Sequence, residues 1–400
     1  MHSASGAELV ASHPVVSSMP EPGGKAVNTE GRIIQDGRDA SVDIVKGMAI
    51  LLVVYAHTWP IFRNFYRLFC LQLFLVASGY CTRGRIESPA DWRRYMGRRM
   101  RALYIPCAVC NGIYALLGVV FLRLGLYTDN PVFLDMTAGW PVPQKLFPVN
   151  GIADILRKFV RVILLTDTTQ MGTSTWFLIT LLAISLLHAT VCLAAYGLEP
   201  GKKRAVLGGL FLLMAGAAQF VRLPGTAWTF LRCFCYSYLT FLLGIGIREL
   251  NLKFLETPLC AALSFALLAV MAPYYYIDLA NVYIPGVLPY LAGVLSGWSM
   301  LKYIADRLAP RERLSRVWIY LGRHTIPVIC LHVLCFKAVT WLYIRVRGLP
   351  AIYLASFHID FDAGEGWKLL YLAAGLGGSL LLAAAWHSLV RCICQRSVRS

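Results

Sequence analysis

Apolar residues run along the chain in blocks of roughly 17–22 with polar breaks between them, the length of helix that crosses a bilayer. About ten such blocks predict about ten spanning helices, near 44–61, 65–82, 102–123, 176–196, 205–221, 229–248, 257–277, 285–304, 317–340 and 368–390. The predicted fold class is all-α, a polytopic membrane protein with its helices around a central cavity. Residues 1–41 are polar and rich in Ser, Gly, Pro and Glu. They predict a disordered cytosolic N-terminal tail without a cleavable signal peptide. Residues 42–391 form the transmembrane domain, and 392–400 a basic cytosolic tail. Prolines inside apolar blocks (Pro106, Pro273, Pro285, Pro289 and Pro327) mark kinks or helix ends.

Composition agrees with this pattern. Hydrophobic residues are 58% of the chain and charged residues 15%, more apolar than the roughly 45–50% of an ordinary soluble domain. The formal net charge of +17 would suggest nucleic acid in a soluble protein. Here it is concentrated in loops, so the bias toward cytosolic cations explains it and no nucleic-acid partner is expected. Arg83, Arg85, Arg93, Arg94, Arg98, Arg99 and Arg101 fill one loop; Lys202, Lys203 and Arg204 a second; Lys302, Arg307, Arg311, Arg313 and Arg316 a third; Arg391, Arg396 and Arg399 the C-terminus. With ten helices all four fall on one side, which places both termini in the cytosol.

The opposite loops are acidic and aromatic. Residues 124–175 carry Asp129, Asp135, Trp140, Asp154 and Asp167; residues 272–284 carry Tyr274, Tyr275, Tyr276, Asp278 and Tyr283; residues 341–367 carry His358, Asp360, Asp362 and Glu365. Carboxylates beside rings suit carbohydrate, but Tyr and Trp also belong at membrane interfaces, which is the simpler reading of any one of them. The chain has twelve cysteines. Cys107 and Cys110 form a CxxC on an apolar helix without a second pair, which reads as small core residues, and no metal is expected.

The stretch VDIVKGMAILLVVYAHTW (42–59) holds three ionisable residues in an otherwise apolar span: Asp43, Lys46 and His57. Such residues at membrane depth are costly and usually functional or paired. At 100° per residue Lys46 and His57 lie within about 20° of one face, with Asp43 roughly 40° from His57. Along the axis Lys46 and His57 are about 16 Å apart. Lys46 alone could simply snorkel to the interface. The three together read as one stripe, an anion held near Lys46 and a general base at His57. Asp43 is placed to pair with Lys46, three residues on, or with an arginine of the 98–101 cluster.

DIVKGMAILLVVYAH resembles the first-helix signature of the membrane acyltransferase-3 family, a basic residue followed after ten others by a catalytic His. LFLVASGY (73–80), RRMRALYIP (98–106), STWFL (174–178), LTFLLGIGIRE (239–249) and LGRHTIPVICLH (321–332) resemble further family motifs in the same order. The first helix is most similar to the fucose 4-O-acetylase-like, polysaccharide O-acetyltransferase branch. Lys46 stands where the family often has Arg, Cys70 and Gln72 where this branch has His-x-Pro, and Thr325 where Ser is usual.

The resemblance implies an O-acetyltransferase of the bacterial inner membrane. It would move acetyl from cytosolic acetyl-CoA to a hydroxyl of a cell-surface glycan or its lipid-linked precursor. His57 would be the catalytic base, or carry a transient acyl group. Lys46, Arg98 and Arg101 would hold the CoA phosphates, and Asp43, Ser78, Trp176 and His332 would line the cavity. His332, mid-helix in an apolar run, reads equally as a structural histidine; His188 and His387 read as structural. Expected partners are membrane lipid, the glycan acceptor, and polysaccharide-biosynthesis proteins or a second copy of the chain. A transporter or flippase using the same charged stripe is the alternative from another class. A succinyl-type donor would need a further cation near the thioester, which the sequence does not identify.

Overall fold

The structure is a computed structural model that describes residues 25–27, 33–35, 38–82, 86–128, 152–221, 226–356 and 363–397. Met1–Ala40 and Ser41–Ser400 form separate units. In the first, three short strands form an antiparallel meander: β1 (Lys25–Val27), β2 (Ile33–Gln35) and β3 (Arg38–Asp39). Val27 faces Ile33, and Gln35 faces Arg38. Composition alone predicts no order anywhere in 1–41, so these strands are an addition; residues 1–24 and 398–400 lie outside the described part.

The second unit is helical. Its elements are α1 (Ala40–Ala56, whose first residue belongs to the first unit), α2 (Arg63–Arg67), α3 (Gln72–Tyr80), α4 (Pro89–Arg99), α5 (Ile105–Leu116), α6 (Gly118–Arg123), α7 (Ile152–Ile163), α8 (Trp176–Ala194) and α9 (Pro200–Phe220). They continue with α10 (Thr226–Glu249), α11 (Pro258–Met271), α12 (Val287–Leu308), α13 (Glu312–Arg323), α14 (Thr325–Arg347), α15 (Glu365–Ala373) and α16 (Ser379–Ser397). Among the described residues, four helices are long and apolar enough to cross a membrane: Thr173–Ala194, Trp228–Glu249, Thr325–Arg347 and Glu365–Cys392.

The other apolar blocks are shorter or broken, for local reasons. The block at 65–82 is not one helix: α2 ends at Arg67, turns follow, and α3 resumes at Gln72. The block at 317–340 is two helices that meet at His324, whose φ of −109° and ψ of 28° leave the helical region. Everything before that break, α13, carries Arg313, Arg316 and Arg323 and is half exposed. The block at 102–123 starts in a π-helical turn, Met100–Tyr104. Pro106 explains the turn: it offers no N–H and its ring crowds the carbonyl four residues back, so the helix widens there.

α1 is the centre of the bundle. Thirteen of its residues, Asp43 included, are buried, on every side of the helix rather than on one stripe. Close packing of backbones makes this feasible. A Cβ on Gly47 would run into the Trp318 carbonyl of α13, and one on Gly322 would run into the Asp43 carbonyl of α1. Gly79 of α3 and Gly244 of α10 stand in the same relation, each lying on the other helix's carbonyls. Small residues at such crossings let helices associate by van der Waals contact where lipid offers no hydrophobic driving force. Arg248, one turn past Gly244, donates to the carbonyls of Tyr80 (3.4 Å) and Thr82 (3.3 Å) at the end of α3. The glycine and the arginine of that stretch therefore fasten one helix pair. A second π turn, Ala374–Gly378, puts Gly375 directly on Phe336 of α14 and Val54 of α1.

Candidate active site

Two groups of side chains form along α1. At its start the Asp43 carboxylate, 2% exposed, accepts from Lys46 Nζ at 3.2 Å and from Arg323 Nε, on α13, at 3.1 Å. The pairing with Lys46 follows from one helical turn of spacing. The second cation is Arg323, not Arg98 or Arg101. Gly47 and Gly322 bring it there, because α1 and α13 touch backbone to backbone beside these very residues. The lysine and arginine side chains are about one quarter exposed, so two partly exposed cations share one buried carboxylate and leave a net positive charge at this end of α1.

At the far end, the His57 N–H still bonds to the Val53 carbonyl (3.3 Å), and the chain turns at Trp59 with φ of +55°. The regular helix thus stops at Ala56, short of the 61 that hydropathy suggests. His57 is half-buried at this turn. Its ring lies 5.2 Å, centre to centre, from that of His332, which is fully buried and has Phe336 edge-on at 5.6 Å on α14.

His332 is held on both ring nitrogens. Nδ1 lies 2.7 Å from the Val328 carbonyl one turn back. A carbonyl only accepts, so Nδ1 carries a proton. In the neutral ring Nε2 is then the acceptor, and it faces the Ser174 hydroxyl at 3.4 Å. Ser174 belongs to a 3₁₀ turn, Thr173–Thr175, that runs into α8.

That turn is fixed by one residue that sequence reasoning passed over. Asn111 of α5, 1% exposed, donates to the Cys107 carbonyl (3.1 Å) and to Thr175 Oγ1 (2.8 Å). Its Oδ1 accepts from the Thr169 N–H and hydroxyl, both at 2.8 Å. Gly172 sits so close to Asn111 that a Cβ there would overlap it. Met171 is buried against Tyr114, Phe121, Tyr127 and Val333. Much of the segment that hydropathy assigns to an outer loop is therefore folded back on the bundle. α7 lies along α5, with Phe159 at Gly112 and the Ile163 carbonyl on Tyr104. A lone Asn in an apolar helix is the signal that would have found it. Asn111→Ala is expected to strand buried partners at about 1–3 kcal/mol for each group left unsatisfied. The check is a lower unfolding temperature of the detergent-solubilised protein, which Asn111→Gln only partly repairs.

The remaining predicted residues are placed as follows. Ser78 on α3 accepts from Arg99, at 3.5 Å, whose Nε also donates to Tyr95. Arg99 is thus the inward arginine of its cluster, while Arg98 and Arg101 are exposed. Trp176 is half-buried, two residues from Ser174, edge-on to Phe177, which packs on Phe74 of α3. His188 is buried against Phe241 and Tyr238. Lys337, 3% exposed, donates to the carbonyls of Leu354 (3.0 Å) and Ser356 (2.6 Å). It is five residues past His332 and so points about 140° away from it; it braces the turn after α14. Asp278 caps its own turn through the N–H groups of Ala280 and Asn281 and pairs with Arg67, which also meets the Tyr276 hydroxyl. Asp129, Asp135, Trp140, His358, Asp360 and Asp362 lie outside the described residues.

A buried helix with a cation cluster at one end and an imidazole pair at the other agrees with the family comparison. The model of an acyltransferase domain matches residues 39–385, nearly the whole helical unit. The chain belongs to the membrane acyltransferase-3 family. It is an integral membrane acyltransferase, and its motifs can now be read as contacts. In this acyltransferase the first-helix motif supplies Asp43, Lys46 and His57, the late-helix motif supplies Arg323 and His332, and the WFL stretch follows the serine that faces His332. No curated protein and no solved structure matches the chain.

Proposed function

We propose that this acyltransferase moves an acetyl group from acetyl-CoA to a hydroxyl of a cell-surface glycan or its lipid-linked precursor. The observation that carries the reading is the spacing of the two groups on α1. A cluster of two cations and His57 are separated by about 16 Å of helix. The pantetheine arm of CoA spans a distance of that order. With the phosphates at Lys46 and Arg323, and Arg98 and Arg101 as further phosphate contacts, the thioester lies beside the imidazoles. Guanidinium groups suit phosphate because their donors are fixed in a plane, and the Lys46 ammonium adds a point charge.

His57 takes the proton from the acceptor hydroxyl, which becomes nucleophilic enough to attack the acyl carbon. Its position at the turn after α1 leaves it accessible, whereas His332 beneath it is fully buried. The donor approaches from the end that bears Asp43 and Lys46, a reading supported by the bias of basic residues toward cytosolic loops. The acceptor approaches from the end beyond Trp59, and the host membrane is the bacterial inner membrane.

The test is transfer from labelled acetyl-CoA by membranes containing the protein, with a glycan extract as acceptor and succinyl-CoA for comparison. Label on glycan from acetyl-CoA is expected. Uptake or flipping of sugar without consumption of either thioester would replace the reading by transport. Lys46→Ala is the cleaner probe of the donor end because it leaves Asp43 paired with Arg323. A charge-assisted hydrogen bond contributes about 1.5–3 kcal/mol, so its loss is expected to raise the KM for acetyl-CoA roughly 10–100-fold with kcat little changed.

A further inference from the structure

The imidazole pair has a companion that a one-step transfer does not use. Ser174 faces His332 Nε2 at 3.4 Å, and His332 Nδ1 is held by the Val328 carbonyl at 2.7 Å. A hydroxyl, a base within reach of it and a third group that fixes the base make up the arrangement of an activated nucleophile. The hydroxyl–base distance is long, as such distances often are before substrate is seated. We propose that Ser174 is a nucleophile that carries the acyl group between donor and acceptor, with His332 as its base. This rests on the donor and acceptor proposed above.

Three features support the assignment. Ser174 is not on a loose loop: the Asn111 bonds to Thr169 and Thr175 bracket it, and buried Met171 anchors the same segment. It stands just ahead of α8, a helix of 19 residues, so negative charge developing on an attacked carbonyl lies at the positive end of the helix dipole. Finally, there are two imidazoles, 5.2 Å apart, in different surroundings. The fully buried one faces Ser174 and the half-buried one lies at the turn after α1, which matches two half-reactions with one base each.

In the first half-reaction Ser174 Oγ attacks the thioester carbonyl while His332 Nε2 takes its proton. The carbon–sulfur bond breaks, and the CoA thiolate leaves with the proton from the imidazolium. In the second, His57 takes the proton of the acceptor hydroxyl, which attacks the seryl ester. The ester carbon–oxygen bond breaks and Ser174 regains a proton from the His57 imidazolium. The sum is one CoA thiol and one O-acylated acceptor, with no other reactant.

The experiment uses the full chain in membranes with acetyl-CoA and no acceptor, followed by digestion and mass spectrometry of the peptide containing Ser174. His57→Ala, in which the second half-reaction stalls, is expected to accumulate acetyl on Ser174, and Ser174→Ala and His332→Gln to show none and to lose transfer. Ser174→Cys keeps a nucleophile in the same fold and is expected to trap a hydroxylamine-sensitive thioester. Ser174→Ala transferring at the wild-type rate, or acetyl found on His57 with Ser174 unmodified, overturns the proposal and leaves the O-acetyltransferase reading standing. No consumption of acetyl-CoA by the wild type overturns both.

Discussion

Replacing His57 with alanine is expected to abolish acyl transfer while the protein still folds and still binds CoA. A positioned general base contributes about 10²–10⁴-fold, and transfer should fall by at least that much. The fold should survive because His57 is half-buried at a turn, outside the regular helix, and its backbone bond to Val53 does not need the side chain. The readouts are transfer to glycan, binding of CoA to the purified protein, and its unfolding temperature. Full activity in the variant would return His57 to an interfacial role and remove the proposed chemistry. Loss of CoA binding together with activity would instead make His57 a structural residue.

Gly322→Ala is expected to damage the protein more than its single methyl group suggests. The new Cβ would overlap the Asp43 carbonyl, which is backbone and cannot swing aside as a side chain could. Overpacking a well-packed interior costs about 1–3 kcal/mol and sometimes more, and here α13 must back away from α1. The separation would also pull Arg323 from Asp43, a pair with its carboxylate 2% exposed. Both consequences can be measured: a lower yield and unfolding temperature, and a raised KM for acetyl-CoA in whatever folds. Gly97→Ala, where an added Cβ meets nothing within 4 Å, is the control and should behave as wild type. Equal behaviour of the two variants would contradict the close crossing.

Helical character, membrane embedding and family were legible in the sequence, because each is carried by many residues at once. The Asp43–Lys46 pair on α1 was legible too, since one helical turn separates the two residues. Helix ends were less so. Hydropathy averages across the break at Leu68–Leu71 because its own residues are apolar, and across the one at His324 because it lies between the apolar runs 317–321 and 326–331. α7 went unnoticed for the opposite reason: Asp154, Arg157, Lys158 and Arg161 cancel its apolar residues on average, although Phe159 and Ile163 pack on α5. The partners of the site residues were the least legible. Arg323 was visible as one cation among many, but its bond to Asp43 joins residues 280 positions apart. Ser174 and His332, 158 apart, are in the same position. Only tertiary packing brings such residues together, and no local pattern encodes it.

The burial of α1 on every side also bears on how the protein is made. The helix that ends up at the centre leaves the ribosome before the helices α2–α16 that surround it, and it carries a carboxylate whose arginine is synthesised 280 residues later. At roughly 5–20 residues per second that interval is roughly 15–60 s. Through it, Lys46 is the one cation within reach on the same helix. The nascent helix must therefore be sheltered from lipid by the insertion machinery, or wait near the headgroups where Asp43 stays hydrated, until α13 arrives. Biogenesis of this enzyme is accordingly a late closure around its own first segment, and chains truncated before Arg323 should be substrates for membrane proteolysis.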